Sequence, residues 1–136
     1  MQERKQPETL RLRTMMPAIT ASDLQASLAW YRDVLGFTVA ENYERDGRLM
    51  GVRLMAGHVQ ILLSQDDFAK GRDRQKGAGL RLFCTTGQDV DQLAAAIKER
   101  GGQLAHEPTD QPWGARDFGV VDPDGFNISI STEMQD

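Results

Sequence analysis

The chain has 136 residues, 40% of them hydrophobic, with 13 glycines, which is the usage of one ordinary globular domain and not of a disordered or fibrous chain. Sixteen Lys and Arg against twenty Asp and Glu leave a formal charge of −4, so no net positive field draws the chain to nucleic acid or to an anionic membrane. The single cysteine, Cys84, cannot close an intramolecular disulfide, no run approaches the roughly 18 apolar residues of a membrane span, and Met1 to Glu8 lacks the apolar centre of a secretion signal. A reducing, cytoplasmic setting is the expectation.

The first predicted strand runs from Leu12 to Thr20, after an N-terminal tail at 1–11. Pro17 makes it irregular or places it at a sheet edge, and the flexible Met15-Met16 pair suits an irregular pocket as well as it suits a core. From Asp23 to Leu35, Leu24, Leu28, Tyr31 and Leu35 recur at helical period, with Trp30 and Val34 on an adjoining stripe, so a helix with a core face is predicted. Ser22 and Gln25 have the spacing of a capping box, and Gly36 is the expected stop.

Period-two runs then follow at Phe37 to Tyr43, Arg48 to Met55 and His58 to Ser64, separated by the turn pairs Asp46-Gly47 and Ala56-Gly57. Asp66 to Lys76 mixes charges of both signs without periodicity and is predicted to be a solvated connector. Beyond it come a strand at Gly79 to Thr85, a helix at Asp89 to Arg100 ended by Gly101-Gly102, and strands at Gln103 to His106, Ala115 to Val121 and Phe126 to Ser131. Asp122-Pro123-Asp124-Gly125 is the turn before the last of these.

At an offset of 66 residues both helix starts and both helix stops coincide, and Glu41 falls on Glu107. Each half reads strand, helix, three strands. The expectation is an α+β fold of two tandem βαβββ modules forming curved mixed sheets around a cleft: module one at 12–65, a connector at 66–77 and module two at 78–131, all within one domain, 12–136, in which each half buries a sheet face of the other.

Three segments resemble one family: Ser22-Asp23-Leu24 before the first helix, Trp30 to Phe37 closing it, and Asp122-Pro123-Asp124-Gly125 before the last strand. Together they are similar to the vicinal oxygen chelate superfamily, which includes glyoxalases, extradiol dioxygenases and bleomycin-resistance proteins. The resemblance implies an open, curved sheet in each half and, in catalytic members, a divalent metal held by His and Glu side chains. Counted onto this chain, those positions fall on Met16, on Gln60 or Leu62, on a residue within 79–83 that is not His, and on Ser129. The resemblance therefore implies neither a metal nor another cofactor here, and no catalytic residue is assigned. His58 and His106 are the only histidines, and a non-standard metal site would have to use them.

The segment Glu107 to Phe118, containing Pro112-Trp113-Gly114, resembles the metal-free bleomycin-resistance branch. That likeness implies sequestration of a small molecule by a homodimer. Trp113, on a loop where nothing periodic requires an indole, is either an anchor on its own domain or a stacking platform. Arg116 and Asp117 must point to opposite faces of a strand, and a cleft with Trp113, Arg116 and Phe118 on one wall and Met16, Gln60, Leu82 and Ser129 on its floor is the candidate site. Plain core is the competing role for Met16, Leu82 and Phe118.

The expected function is a metal-independent small-molecule binding protein with an aromatic or amphipathic ligand, a cationic one included. The alternatives are an enzyme of the same superfamily with a non-standard metal site, and a domain serving protein association.

Overall fold

The computed structural model describes residues 9–133, so the first eight residues of the predicted tail and the acidic Asp136 lie outside the described residues. The first half is β1 (Ala18–Ala21), α1 (Leu24–Ala29) continued by a π-helical turn (Trp30–Leu35), β2 (Thr38–Arg45), β3 (Arg48–Ala56) and β4 (Val59–Gln65). The second is β5 (Arg81–Thr86), α2 (Val90–Glu99), β6 (Leu104–Asp110), β7 (Arg116–Val121) and β8 (Asn127–Thr132). The strands form two mixed four-stranded sheets, ordered β1-β4-β3-β2 and β5-β8-β7-β6, with the parallel pairs β1–β4 and β5–β8. This is the α+β architecture of two βαβββ modules that the duplication predicts.

The turn chemistry explains the hairpins. Asp46 and Gly47 both have positive φ, 52° and 75°, the primed-turn geometry that matches strand twist between β2 and β3. Gly36, at φ 101°, ends the first helix, and the N–H groups of Gly36 and Phe37 both donate to the Tyr31 carbonyl.

Three local expectations are corrected. The first strand begins at Ala18 and not at Leu12, because Pro17 has no N–H with which to extend the ladder, and only its carbonyl takes part, accepting from Leu62. The first helix is capped by Asp23, whose Oδ1 accepts from the Ala26 N–H at 3.2 Å. Ser22 is drawn away by a tertiary partner, donating both its N–H and its hydroxyl to Asp124 at 3.1 and 2.6 Å. The connector is not solvated throughout. The Asp66 and Lys76 side chains are buried and paired at 2.8 Å, and a Cβ on Gly77 would fall 2.0 Å from the Gly125 carbonyl oxygen.

One apolar core serves both halves. Ile19, Leu54 and Leu63 from the first sheet pack in the same cluster as Val120, Ile128 and Phe118 from the second, together with Leu24, Leu28, Val90 and Ile97 from the helices. The faces that the halves bury against each other are thus the helix-bearing ones. The other face of each sheet looks away from its counterpart.

Candidate functional site

The pleat assigns each side chain to a face. In the first sheet Val52, Leu54, Ile61 and Leu63 face the helices, which leaves Arg53, Gln60 and Leu62 on the open face, with Glu41 paired to Arg53 and Tyr43 to Gly51 on the neighbouring strand. There Arg53 donates to Gln60 at 3.1 Å and to Glu41 at 3.4 Å, and the Tyr43 hydroxyl donates to Glu41 at 3.1 Å. Met16, just before β1, is partly exposed.

In the second sheet Leu82, Cys84, Phe118, Val120, Ile128 and Ile130 belong to the core side. Phe83, Asp117, Gly119 and Ser129 take the open face, where Phe83 lies beside Ser129 and is 47% exposed. Asp117 is buried, 3.0 Å from His106 Nε2 and 2.8 Å from Gln111 Nε2, which donates to it. His106 lies over Gly119, where a Cβ would come 2.8 Å from its Nδ1.

Of the seven residues predicted for the site, the structure therefore places Gln60 on one open face, Ser129 on the other and Met16 at the start of the first sheet. Leu82, Arg116 and Phe118 project to the helix side. The parity of Arg116 and Asp117 is settled by charge on α2: Arg116 donates to both Asp91 carboxylate oxygens at 2.9 and 2.8 Å and to Asp110 at 3.2 Å. These partners, Asp91 first, hold the guanidinium well above its ordinary pKa. Phe118 is fully buried in the shared core.

Trp113 stands 53% exposed at the tip of the β6–β7 connection. The turn is closed by the Gln111 N–H on the Ala115 carbonyl at 2.7 Å and the Gly114 N–H on the Gln111 carbonyl at 3.1 Å. Gly114, at φ 90°, supplies the left-handed residue this requires. Because Gln111 also donates to Asp117, the turn carrying the indole is fixed to the open face of the second sheet. Sequence reasoning considered His106 only as a ligand of a non-standard metal site and Asp117 only as the residue facing away from Arg116, and it did not single out Phe83. The signal for them was strand alternation, once the helix side was known.

The residues at the superfamily's ligand positions do not fit a divalent metal. Met16, Gln60 or Leu62, and Ser129 put a thioether, a carboxamide or an alkyl chain, and a hydroxyl in place of the imidazole and carboxylate that such an ion prefers. His58 sits on the exposed β3–β4 turn, and among the described residues no three His, Cys, Asp or Glu side chains converge. Burial pushes the Cys84 thiol pKa up, which suits a packed thiol and not a nucleophile.

A family model for the Glyoxalase/Bleomycin resistance protein/Dioxygenase superfamily matches residues 13–130. The chain is 30% identical over 134 residues to a bleomycin resistance protein of Geobacillus stearothermophilus, covering 88% of this chain and 96% of that protein. In fold it is similar to TioX from Micromonospora sp. ML1, with a TM-score of 0.73 and 18% identity, over 90% of this chain and 99% of that one. It is likewise similar to a glyoxalase/bleomycin resistance protein/dioxygenase from Alicyclobacillus acidocaldarius, with a TM-score of 0.70 and 22% identity, over 90% and 92% of the two chains.

Proposed function

The chain belongs to the glyoxalase/bleomycin resistance protein/dioxygenase superfamily, and from that premise we propose that it is a metal-independent binding protein of the bleomycin-resistance type. It sequesters a small aromatic or amphipathic molecule, cationic ones included. The observation that carries this reading is Trp113, a largely exposed indole on a braced turn beside an open sheet face bearing Phe83 and the carboxylate of Asp117. Flat rings offer stacking area at little entropic cost, and a buried carboxylate beside them favours a ligand with a positive charge.

Among the described residues the open faces of the two sheets look apart, so a single chain forms no cleft between those two faces. The reading therefore includes a homodimer in which the open face of one half meets the other half of a second copy. The exposed apolar side chains Tyr43, Phe83 and Val121, all on the open faces, suit such a contact. Met16, Gln60 and Ser129 would then line the cleft beside Trp113, whereas Leu82, Arg116 and Phe118 would support it from behind.

The test is a tryptophan-fluorescence titration with bleomycin. The other indole, Trp30, is packed against the core, so quenching reports chiefly on Trp113. Saturable quenching is expected, with Trp113→Ala weakening binding measured by calorimetry by about tenfold or more, equivalent to about 1.4 kcal/mol. An unchanged calorimetric affinity in that variant would give Trp113 a structural role instead.

A further inference from the structure

The two halves meet at two junctions related by the duplication, and among the described residues only one is filled. At the first, the Tyr31 ring is fully buried, its hydroxyl donates to Asp122 at 2.8 Å, and Ser22 donates to Asp124. The 66-residue offset carries Ser22 and Tyr31 onto Gln88 and Ile97, and carries Asp122 and Asp124 back onto Ala56 and His58. Those four residues border a cavity of about 560 Å³ between α2 and the β3–β4 turn. An aliphatic chain stands where the mate has a phenol ring, and a methyl group stands where it has the accepting carboxylate.

The cavity is of small-molecule size. Its walls include Leu93, Ile128 and Ile130, and Glu133 lies on its lining. Arg100 also borders it, at the position the offset relates to Val34. The guanidinium is held by two backbone carbonyls, its Nε donating to Val34 at 2.8 Å and its Nη2 to Leu35 at 3.4 Å. Two of its five N–H groups are thereby used to orient it, and a guanidinium fixed in this way is preorganised for a carboxylate.

We propose that this junction is a second small-molecule site, which takes a single-ring aromatic carboxylate. The ring replaces the one that Tyr31 supplies at the sister junction, and the carboxylate pairs with Arg100. The site lies on the helix side of the second sheet, where Ile128 and Ile130 point, and is separate from the open face where Phe83 and Ser129 lie. Its success or failure is independent of bleomycin binding.

Amide NMR spectra recorded with benzoate and 4-hydroxyphenylacetate, and with the corresponding amides, test it. Saturable shifts at Gly57, Gly87 and Gln88 are expected with the acids, at millimolar affinity or better. Arg100→Gln should weaken the acids about tenfold and leave the weaker response to the amides unchanged. Ala56→Phe, a plug introduced from the exposed end of β3, should abolish both responses while the spectrum remains that of the folded protein. No saturable shift at those amides up to about 20 mM acid would overturn the proposal, as that concentration exceeds what even a poor fragment site requires. Equal binding of acids and amides would overturn it too, as would shifts centred on Gly119 and Ser129.

Discussion

Tyr31 shows how much one side chain can join. Its ring packs edge-on against Trp30 and Phe37, at centroid distances of 4.9 and 5.7 Å, and its hydroxyl reaches a carboxylate 91 residues away. Burial, and then the neighbouring Asp122 charge, push the phenol pKa far up, so it stays a donor at any ordinary pH. Burial likewise raises Asp122, against the N–H groups of Phe126 and Asp124 and the Tyr31 hydroxyl that stabilise its charge. Tyr31→Phe removes one donor from a buried carboxylate and should cost about 1–3 kcal/mol in denaturant unfolding, with no change in fold. A stability change within error would mean that water replaces the hydroxyl. Helical spacing was enough to place Tyr31 in the core, and turn chemistry was enough to place Asp122. Their partnership was not legible, because nothing local in a sequence reports a contact between halves. The same holds for Arg116 and Asp117: alternation separates them, but only the position of Asp91 on α2 says which of them faces the helices.

The connector is the element whose sequence is most misleading. Its run of mixed charge has the look of a solvated loop, yet Lys76 turns inward to Asp66, Arg74 adds a second contact at 3.2 Å, and the Phe68 N–H donates to the same carboxylate at 2.9 Å. These partners, Lys76 first, hold the Asp66 carboxyl well below its usual range. A carboxylate with a depressed folded-state pKa stabilises the fold fully above its unfolded value of about 3.9 and loses that contribution as pH falls through the folded one. The stability difference between the native protein and Asp66→Asn should therefore be largest above about pH 5 and shrink progressively in acid. Urea unfolding at a series of pH values checks this, and a difference that stays constant down to pH 2 would show that the ion pair contributes nothing. Elsewhere at this scale the sequence was a good guide. Six of the eight strands lie where period-two runs placed them, β1 is cut short at Pro17, and β6 extends past its predicted end to Asp110, with irregular pairing to β7.

For the whole molecule, the decisive fact is which faces the duplicated halves share. Two modules were legible from the matching helix caps and stops, but hydrophobic alternation alone leaves open which sides they turn toward each other. With the helices inward, the apolar side chains on the outer faces remain uncovered in a single chain, and association would cover them. Light scattering at micromolar concentration should give twice the 15.2 kDa chain mass, and replacing the exposed Phe83 and Val121 by Lys should lower it toward one chain. A mass of one chain at all concentrations would count against a site built from two copies.

The close approach of Gly77 to Gly125 limits how such a protein can diverge. A repeat whose copies are joined by slack chain can drift independently, each copy changing without regard to the other. Here any side chain at position 77 meets the backbone of the β7–β8 turn, whose next residues begin the strand carrying Ser129. A side chain at this seam would therefore displace the turn that leads into the strand carrying Ser129, so that a change in the connector reaches the base of the open face through the backbone.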